Sequence, residues 1–166
     1  MTHTPNDFIV VNADRLVNRN NIIFDIDGVL IDSGERFRKC EEEAGGNRKI
    51  FWDCFLSPKY MHLDKPIDFG FEVLRDRIAK GYSIVIITGR TDNMAQKTVE
   101  QLKSVGIEGM PIVFRKTGNF AKDYVFKISV AKSLGLDVLE IHDDSLEVLK
   151  SFSAQYPSAK LYLYIF

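Results

Sequence analysis

The chain has 166 residues, 45% hydrophobic and 27% charged, with 22 Lys and Arg against 23 Asp and Glu for a formal charge of −1. These proportions are those of an ordinary folded domain and exclude disorder as the main state; the near-neutral balance leaves any affinity for nucleic acid or membrane to a local patch. No apolar run approaches the roughly 18 residues of a spanning helix, the first residues lack a signal-peptide pattern, and the two cysteines, Cys40 and Cys54, do not make a disulfide framework, which points to a reducing, cytoplasmic setting.

Residues 1–20 are polar around a short apolar stretch at 8–11 and are expected to form an extra strand or an arm. From residue 21 strands and helices alternate. The apolar run at 22–27 ends in Gly28 and predicts a buried strand. Residues 67–80 carry Phe71, Leu74 and Ile78 at helical spacing before Gly81. A second buried strand is predicted over 82–88, a helix over 92–105 and a short strand over 111–114. A helix over 123–134, a strand over 138–142, a helix over 145–154 and a fifth strand over 160–165 complete the pattern. Such alternation predicts an α/β fold of three layers, a mostly parallel sheet of about five strands with helices on both faces. In such sheets sites form at the carboxyl ends of the strands.

Those ends carry the chemistry. The first strand closes on Asp25-Ile26-Asp27-Gly28, and a period of two puts Asp25 and Asp27 on the same side as they leave it. Two crowded carboxylates repel and resist desolvation, and a hard cation relieves both problems; the same residues can also simply cap a turn. The second strand closes on Thr88-Gly89-Arg90, a hydroxyl, an open amide and a guanidinium that suit a phosphate, though the triplet also makes a plain turn. The fourth closes on His142-Asp143-Asp144-Ser145, which reads as metal ligands or as a helix N-cap. Asp123 and Lys127 stand four apart on one helix face, either a solvated pair or a lysine aimed at the site by its aspartate. Each signal alone is weak. Their assembly at successive strand ends is not expected by chance.

The set Phe24-Asp25-Ile26-Asp27-Gly28-Val29-Leu30, Ile86-Ile87-Thr88-Gly89-Arg90, Lys127 and Ile141-His142-Asp143-Asp144 resembles the haloacid dehalogenase-like (HAD) superfamily over residues 21–166. The resemblance implies a Rossmann-like HAD fold and a Mg²⁺-dependent phosphatase working through an aspartyl-phosphate. It implies Asp25 as nucleophile, Asp27 as general acid and then base, and Thr88 and Lys127 as partners of the transferring phosphoryl group. Mg²⁺ would be held by Asp25, Asp27 through its carbonyl, Asp143 and Asp144. Dehalogenases of the family lack the second aspartate, so Asp27 points to phosphoryl chemistry.

A narrower likeness concerns Arg115-x-x-Gly118-Asn119-x-x-Lys122-Asp123-x-x-x-Lys127, which is similar to a segment of the phosphatase domains of phage-type polynucleotide kinase-phosphatases. Arg36 and Arg90 match the two extra arginines of those domains, and Asp123 their aspartate. With Gly89 they are the expected substrate-binding residues. The implied substrates are polynucleotide 3′ ends or nucleotides, with no membrane partner and no P-loop for a kinase half. The competing expectations are a HAD phosphatase for another small phosphorylated metabolite and a non-catalytic phosphate-binding module.

Sixty residues separate Asp27 from Thr88. The surplus is expected as a small cap insert at about 33–65 within one domain, residues 21–166. Its aromatic residues Phe51, Trp52, Phe55 and Tyr60 either stack on bases or pack the segment onto the sheet domain.

Overall fold

Neighbouring residues along the central strands enter two different cores. Ile22 and Phe24, Ile84 and Ile86, and Ile112 and Phe114 share one, while Ile23, Val85, Ile87 and Val113 share the other. An extended chain alternates its side chains in this way, and a sheet apolar on both sides must be covered on both. The computed structural model describes residues 7–165. Its main sheet is built from β1 (Phe8–Val11), β2 (Asn21–Phe24), β5 (Ser83–Thr91), β6 (Ile112–Arg115), β7 (Val138–Asp143) and β8 (Lys160–Leu163). The spatial order is β1-β6-β5-β2-β7-β8. The strands β6, β5, β2, β7 and β8 run parallel, and β1 pairs antiparallel with β6.

The helices α3 (Asp68–Ala79) and α4 (Ala95–Ser104) cover the first core with Phe71, Leu74 and Leu102. On the opposite face lie α5 (Asp123–Ser133) and α6 (Leu146–Gln155), through Phe126, Val130, Ala131, Val148, Leu149 and Phe152. The sheet holds one strand more than the expected five, because Phe8–Val11 pairs residue by residue with Ile112–Arg115 and closes that edge. The remainder of the expected N-terminal arm, residues 1–6, lies outside the described residues. No helix among the described residues is long and apolar enough to cross a membrane.

Between β2 and α3 a two-stranded ribbon, β3 (Ile31–Asp32) against β4 (Lys65–Pro66), forms the stem of an excursion. The excursion holds α1 (Gly34–Ala44) and α2 (Arg48–Phe55). These two helices have their own small core of Cys40, Ala44, Phe51 and Cys54, with Phe55 and Tyr60 against it. Phe51 stacks on Phe55 and meets Phe37 and Trp52 edge-on. The aromatic residues of this segment therefore pack mainly on one another rather than on the sheet domain, and Trp52 stays largely exposed.

Cys40 and Cys54 are joined as a disulfide, their Cα atoms 5.6 Å apart. This corrects the expectation that they make no disulfide framework and removes the ground for a reducing compartment. Two cysteines carry no framework pattern, and it is the packing of α1 on α2 that brings them together.

Candidate active site

The parallel strands β2, β5 and β7 are adjacent, so their carboxyl ends open onto one place. Asp25 follows β2 directly, and its backbone N–H still donates to the carbonyl of His142 in β7. The chain then leaves the extended state: the N–H groups of Val29, Leu30 and Ile31 all turn back to the carbonyl of Ile26. Strand periodicity no longer applies beyond Phe24, and the two aspartates part company. Asp25 faces Lys127 and Asp143, whereas Asp27 faces Arg36 and Arg90.

In the first cluster, Lys127 projects from α5 and is buried. Its Nζ lies 2.7 Å from Asp143 Oδ2, 3.1 Å from Asp25 Oδ1 and 3.2 Å from Asp123 Oδ2. The remaining bonds are local: Ile26 N–H donates to Asp25 Oδ1 at 2.8 Å and Ser145 N–H to Asp143 Oδ1 at 2.9 Å. Burial, and next the charge of Asp143, push the Asp25 carboxyl well above its ordinary value despite Lys127. Burial opposes the charge on Lys127, but Asp123, Asp143 and Asp25 outweigh it and raise its pKa well above that of a free lysine. Asp144 is exposed as a residue, yet its carboxyl leans over Gly28, where an added Cβ would stand 2.1 Å from Oδ2. Desolvation and then Asp143 push that carboxyl up to about 6.

The second cluster surrounds Asp27. Arg90 grips it with both prongs, Nε to Oδ2 at 3.0 Å and Nη2 to Oδ1 at 2.8 Å, and Arg36 Nη2 reaches Oδ1 at 3.0 Å. Burial alone would raise the Asp27 carboxyl, but Arg90 and then Arg36 hold it below the ordinary carboxylate range. Behind it stands Asp64, with Oδ1 3.0 Å from Arg36 Nε and Oδ2 3.2 Å from Arg90 Nη2. Arg90 Nη1 donates to Thr98 Oγ1 and to Gln101 Oε1, and Gln101 Nε2 donates to Asp64 Oδ2. Arg36 is further held by the Phe55 carbonyl, and its guanidinium lies 4.3 Å from the Phe55 ring centroid. Both arginines, expected to meet substrate, are thus buried and turned onto Asp27.

The other expected residues gather where β5 slips against β6. Ile87 pairs with Val113 but Thr91 with Arg115, so four steps on one strand match two on the other. Such irregularity bends a strand and re-aims its side chains. It sends Arg90 toward α4 and leaves Gly89 beside Asp123, whose Oδ1 a Cβ at Gly89 would approach to 2.7 Å. Thr88 is buried, and its Oγ1 accepts the Arg90 N–H at 3.0 Å, which leaves its own proton to donate. Asp123 pairs with Lys127 and with Arg115, whose Nη2 is 3.6 Å away. Asp64, Thr98 and Gln101 carried no motif in the sequence; their roles come only from the approach of α4 and the excursion.

The donor set fits a hard cation. Asp25, Asp143 and Asp144 each offer an oxygen, and these oxygens lie within 4.8 Å of one another. Lys127 offsets only part of that charge, and carboxylate oxygens are what Mg²⁺ prefers. The Asp27 carboxylate is committed to the arginines, so only its backbone carbonyl is left to such an ion.

No protein-family model and no curated protein sequence matches the chain. Solved structures do: the fold is that of the haloacid dehalogenase-like hydrolases. A hydrolase of that family from Streptococcus pneumoniae superimposes with a TM-score of 0.59 at 14% identity, over 87% of this chain and 83% of that one. The class C acid phosphatase from Bacillus anthracis, solved with tungstate bound, gives 0.61 at 16% identity, over 92% of this chain and 68% of that one. A chain of the Pnkp1/Rnl/Hen1 complex gives 0.65 at 17% identity, over 89% of this chain and 46% of that one. The present chain therefore spans about half the length of that last relative.

Proposed function

We propose that this protein is a phosphoric monoester hydrolase that depends on Mg²⁺ and acts on polynucleotide 3′ ends or nucleotides through an aspartyl-phosphate. The observation that carries the reading is the division of labour between two carboxylates two residues apart. Asp25 stands with Lys127, Asp143 and Asp144, while Asp27 stands apart between two arginines.

In this reading Asp25 attacks phosphorus and Asp27 gives a proton to the departing alcohol oxygen. Asp27 then takes a proton from water, which attacks the same phosphorus, frees inorganic phosphate and restores Asp25. The arginines keep Asp27 ionised at rest; the dianionic substrate raises its proton affinity, and the proton it then takes up from solvent is the one it gives to the leaving oxygen, while the proton it later takes from water returns to solvent. Lys127 and the Thr88 hydroxyl take the phosphoryl oxygens, and Asp123 steers Lys127. Bound Mg²⁺, held by Asp25, Asp143, Asp144 and the Asp27 carbonyl, would shield Asp25 from the substrate's charge.

The excursion of α1 and α2 is read as a small cap within one domain of residues 21–166. A small cap leaves room for a polymer end, and the RNA repair complex among the similar structures supports nucleic-acid chemistry. A cytoplasmic setting stays in the proposal only on the substrate's account.

Two measurements test the reading. Asp25→Asn should keep the fold and lose activity by several powers of ten; retention of more than about 1% of it would rule out attack by Asp25. A panel of 3′-phosphorylated oligonucleotides, mononucleotides and sugar phosphates with Mg²⁺ should favour the first two, and a preference for sugar phosphates would move the substrate to small metabolites.

A further inference from the structure

Among the four charges of the second cluster, Asp27 alone meets solvent. Its side chain is 25% exposed, against 0% for Arg36 and 1% each for Arg90 and Asp64. Asp64 comes from the end of the excursion, Arg36 from α1, Arg90 from the slipped part of β5 and Asp27 from the turn after β2. The four close a ring in which each carboxylate touches both guanidiniums.

Every N–H of Arg90 is engaged: Nε and Nη2 on Asp27, Nη2 also on Asp64, and Nη1 on Thr98 and Gln101. A guanidinium with all five donors engaged has one orientation. Asp64 also keeps two adjacent cations from repelling each other, and Gln101 bonds to both Asp64 and Arg90. Buried charges of this kind are tolerated when each is paired and hydrogen-bonded.

We infer that Asp64 is a positioning residue that acts through Arg36 and Arg90 to hold Asp27 at the leaving-group side of the site. This rests on the phosphatase reading above. Its consequence is selective. The substrate never touches Asp64, so the loss of Asp64 falls on the step in which Asp27 gives its proton, and it weighs most where the leaving oxygen needs that proton.

The test compares kcat/KM for p-nitrophenyl phosphate, whose phenolate leaves without a proton, with that for the best alkyl phosphate of the panel. General acid catalysis contributes about 10²–10⁴-fold, so Asp64→Asn should cost at least about tenfold more on the alkyl substrate than on the aryl one. Gln101→Met removes the shared contact without leaving a buried unpaired charge and should show the same bias to a smaller degree, which keeps the test open if Asp64→Asn does not fold. Equal losses on the two substrates in both variants overturn the inference and leave the phosphatase reading intact. A wild type inert on both substrates overturns the phosphatase reading and the inference with it.

Discussion

Lys127 Nζ sits 2.7 Å from Asp143 Oδ2, closer than to any other carboxylate around it. One buried ammonium thus ties a helix on one face of the sheet to the last residue of β7. Lys127→Met should leave Asp25 and Asp143 buried without a counter-charge. A stability loss of about 3–5 kcal/mol is expected from breaking a buried pair in this way. Chemical denaturation with and without Mg²⁺ would check it, since an added cation should restore part of the loss only in the variant's metal-loaded form.

Gly28 has φ +86°, in the left-handed region, and its missing side chain is where Asp144 leans in. Gly28→Ala should strain the turn and push the Asp144 carboxyl aside. We expect the Mg²⁺ concentration for half-maximal activity to rise at least about tenfold, the scale on which altered support of a metal ligand is felt. An unchanged Mg²⁺ dependence would show that Asp144 plays no part in holding the ion.

His142 is stacked between Phe24 and Tyr162, with centroids 4.3 and 4.4 Å away. Its Nε2 meets Glu140 and its Nδ1 meets the Tyr164 hydroxyl, a pairing that suits a neutral ring. Burial pulls its pKa down from 6.5 to about 4, and the Glu140 carboxylate, already engaged by Arg77, does not reverse this. The folded form therefore binds fewer protons than the unfolded chain between these values, so stability rises with pH across that window. The term is fully present above about pH 6.5 and fades as pH falls through about 4. The stability difference between wild type and His142→Phe should accordingly widen from pH 4 to 6.5; a flat difference would mean that the ring is charged in the fold.

The bond between Cys40 and Cys54 spans 14 positions and links α1, which carries Arg36, to α2, whose Phe55 carbonyl holds it. Loops of that size gain roughly 3 kcal/mol from cross-linking. Cys40→Ala with Cys54→Ala should lower the melting temperature, and dithiothreitol should do the same to the wild type but not to the variant. If reductant leaves the wild type unmoved, the cysteines contribute by packing alone.

Much of the architecture was legible because it rests on local patterns. The alternation through Ile84, Val85, Ile86 and Ile87 reads directly as a strand buried on both faces, and Asp25 just after β2, Asp143 at the end of β7 and Lys127 in α5 stand where the order of elements puts them. The surroundings of Asp27 were not legible, because they depend on where the chain goes after it stops being a strand. Asp25 and Asp27 separate at the Ile26 turn, and Arg36 and Arg90 then converge on Asp27 from sites far apart in sequence. Asp64 is a single acidic residue in an unpatterned segment, and only the fold sets it against Arg36 and Arg90. For the same reason Arg36→Ala, at a position that the sequence ties only to the polynucleotide-type likeness, should harm turnover of any phosphomonoester, since it strips a partner from both Asp27 and Asp64.

The helical excursion keeps its apolar contacts to itself and meets the sheet domain largely through polar groups: Arg36 and Asp64 at the ring, and Thr91, Asn93 and Gln101 on its carbonyls. Its outward side, where Trp52 and Ile50 lie exposed, is one ring removed from Arg36: Trp52 meets Phe55 edge-on, and Phe55 carries the Arg36 guanidinium. A change on that outer surface can therefore reach the charged rim through the Phe55 ring, while the rim itself is fastened by ion pairs.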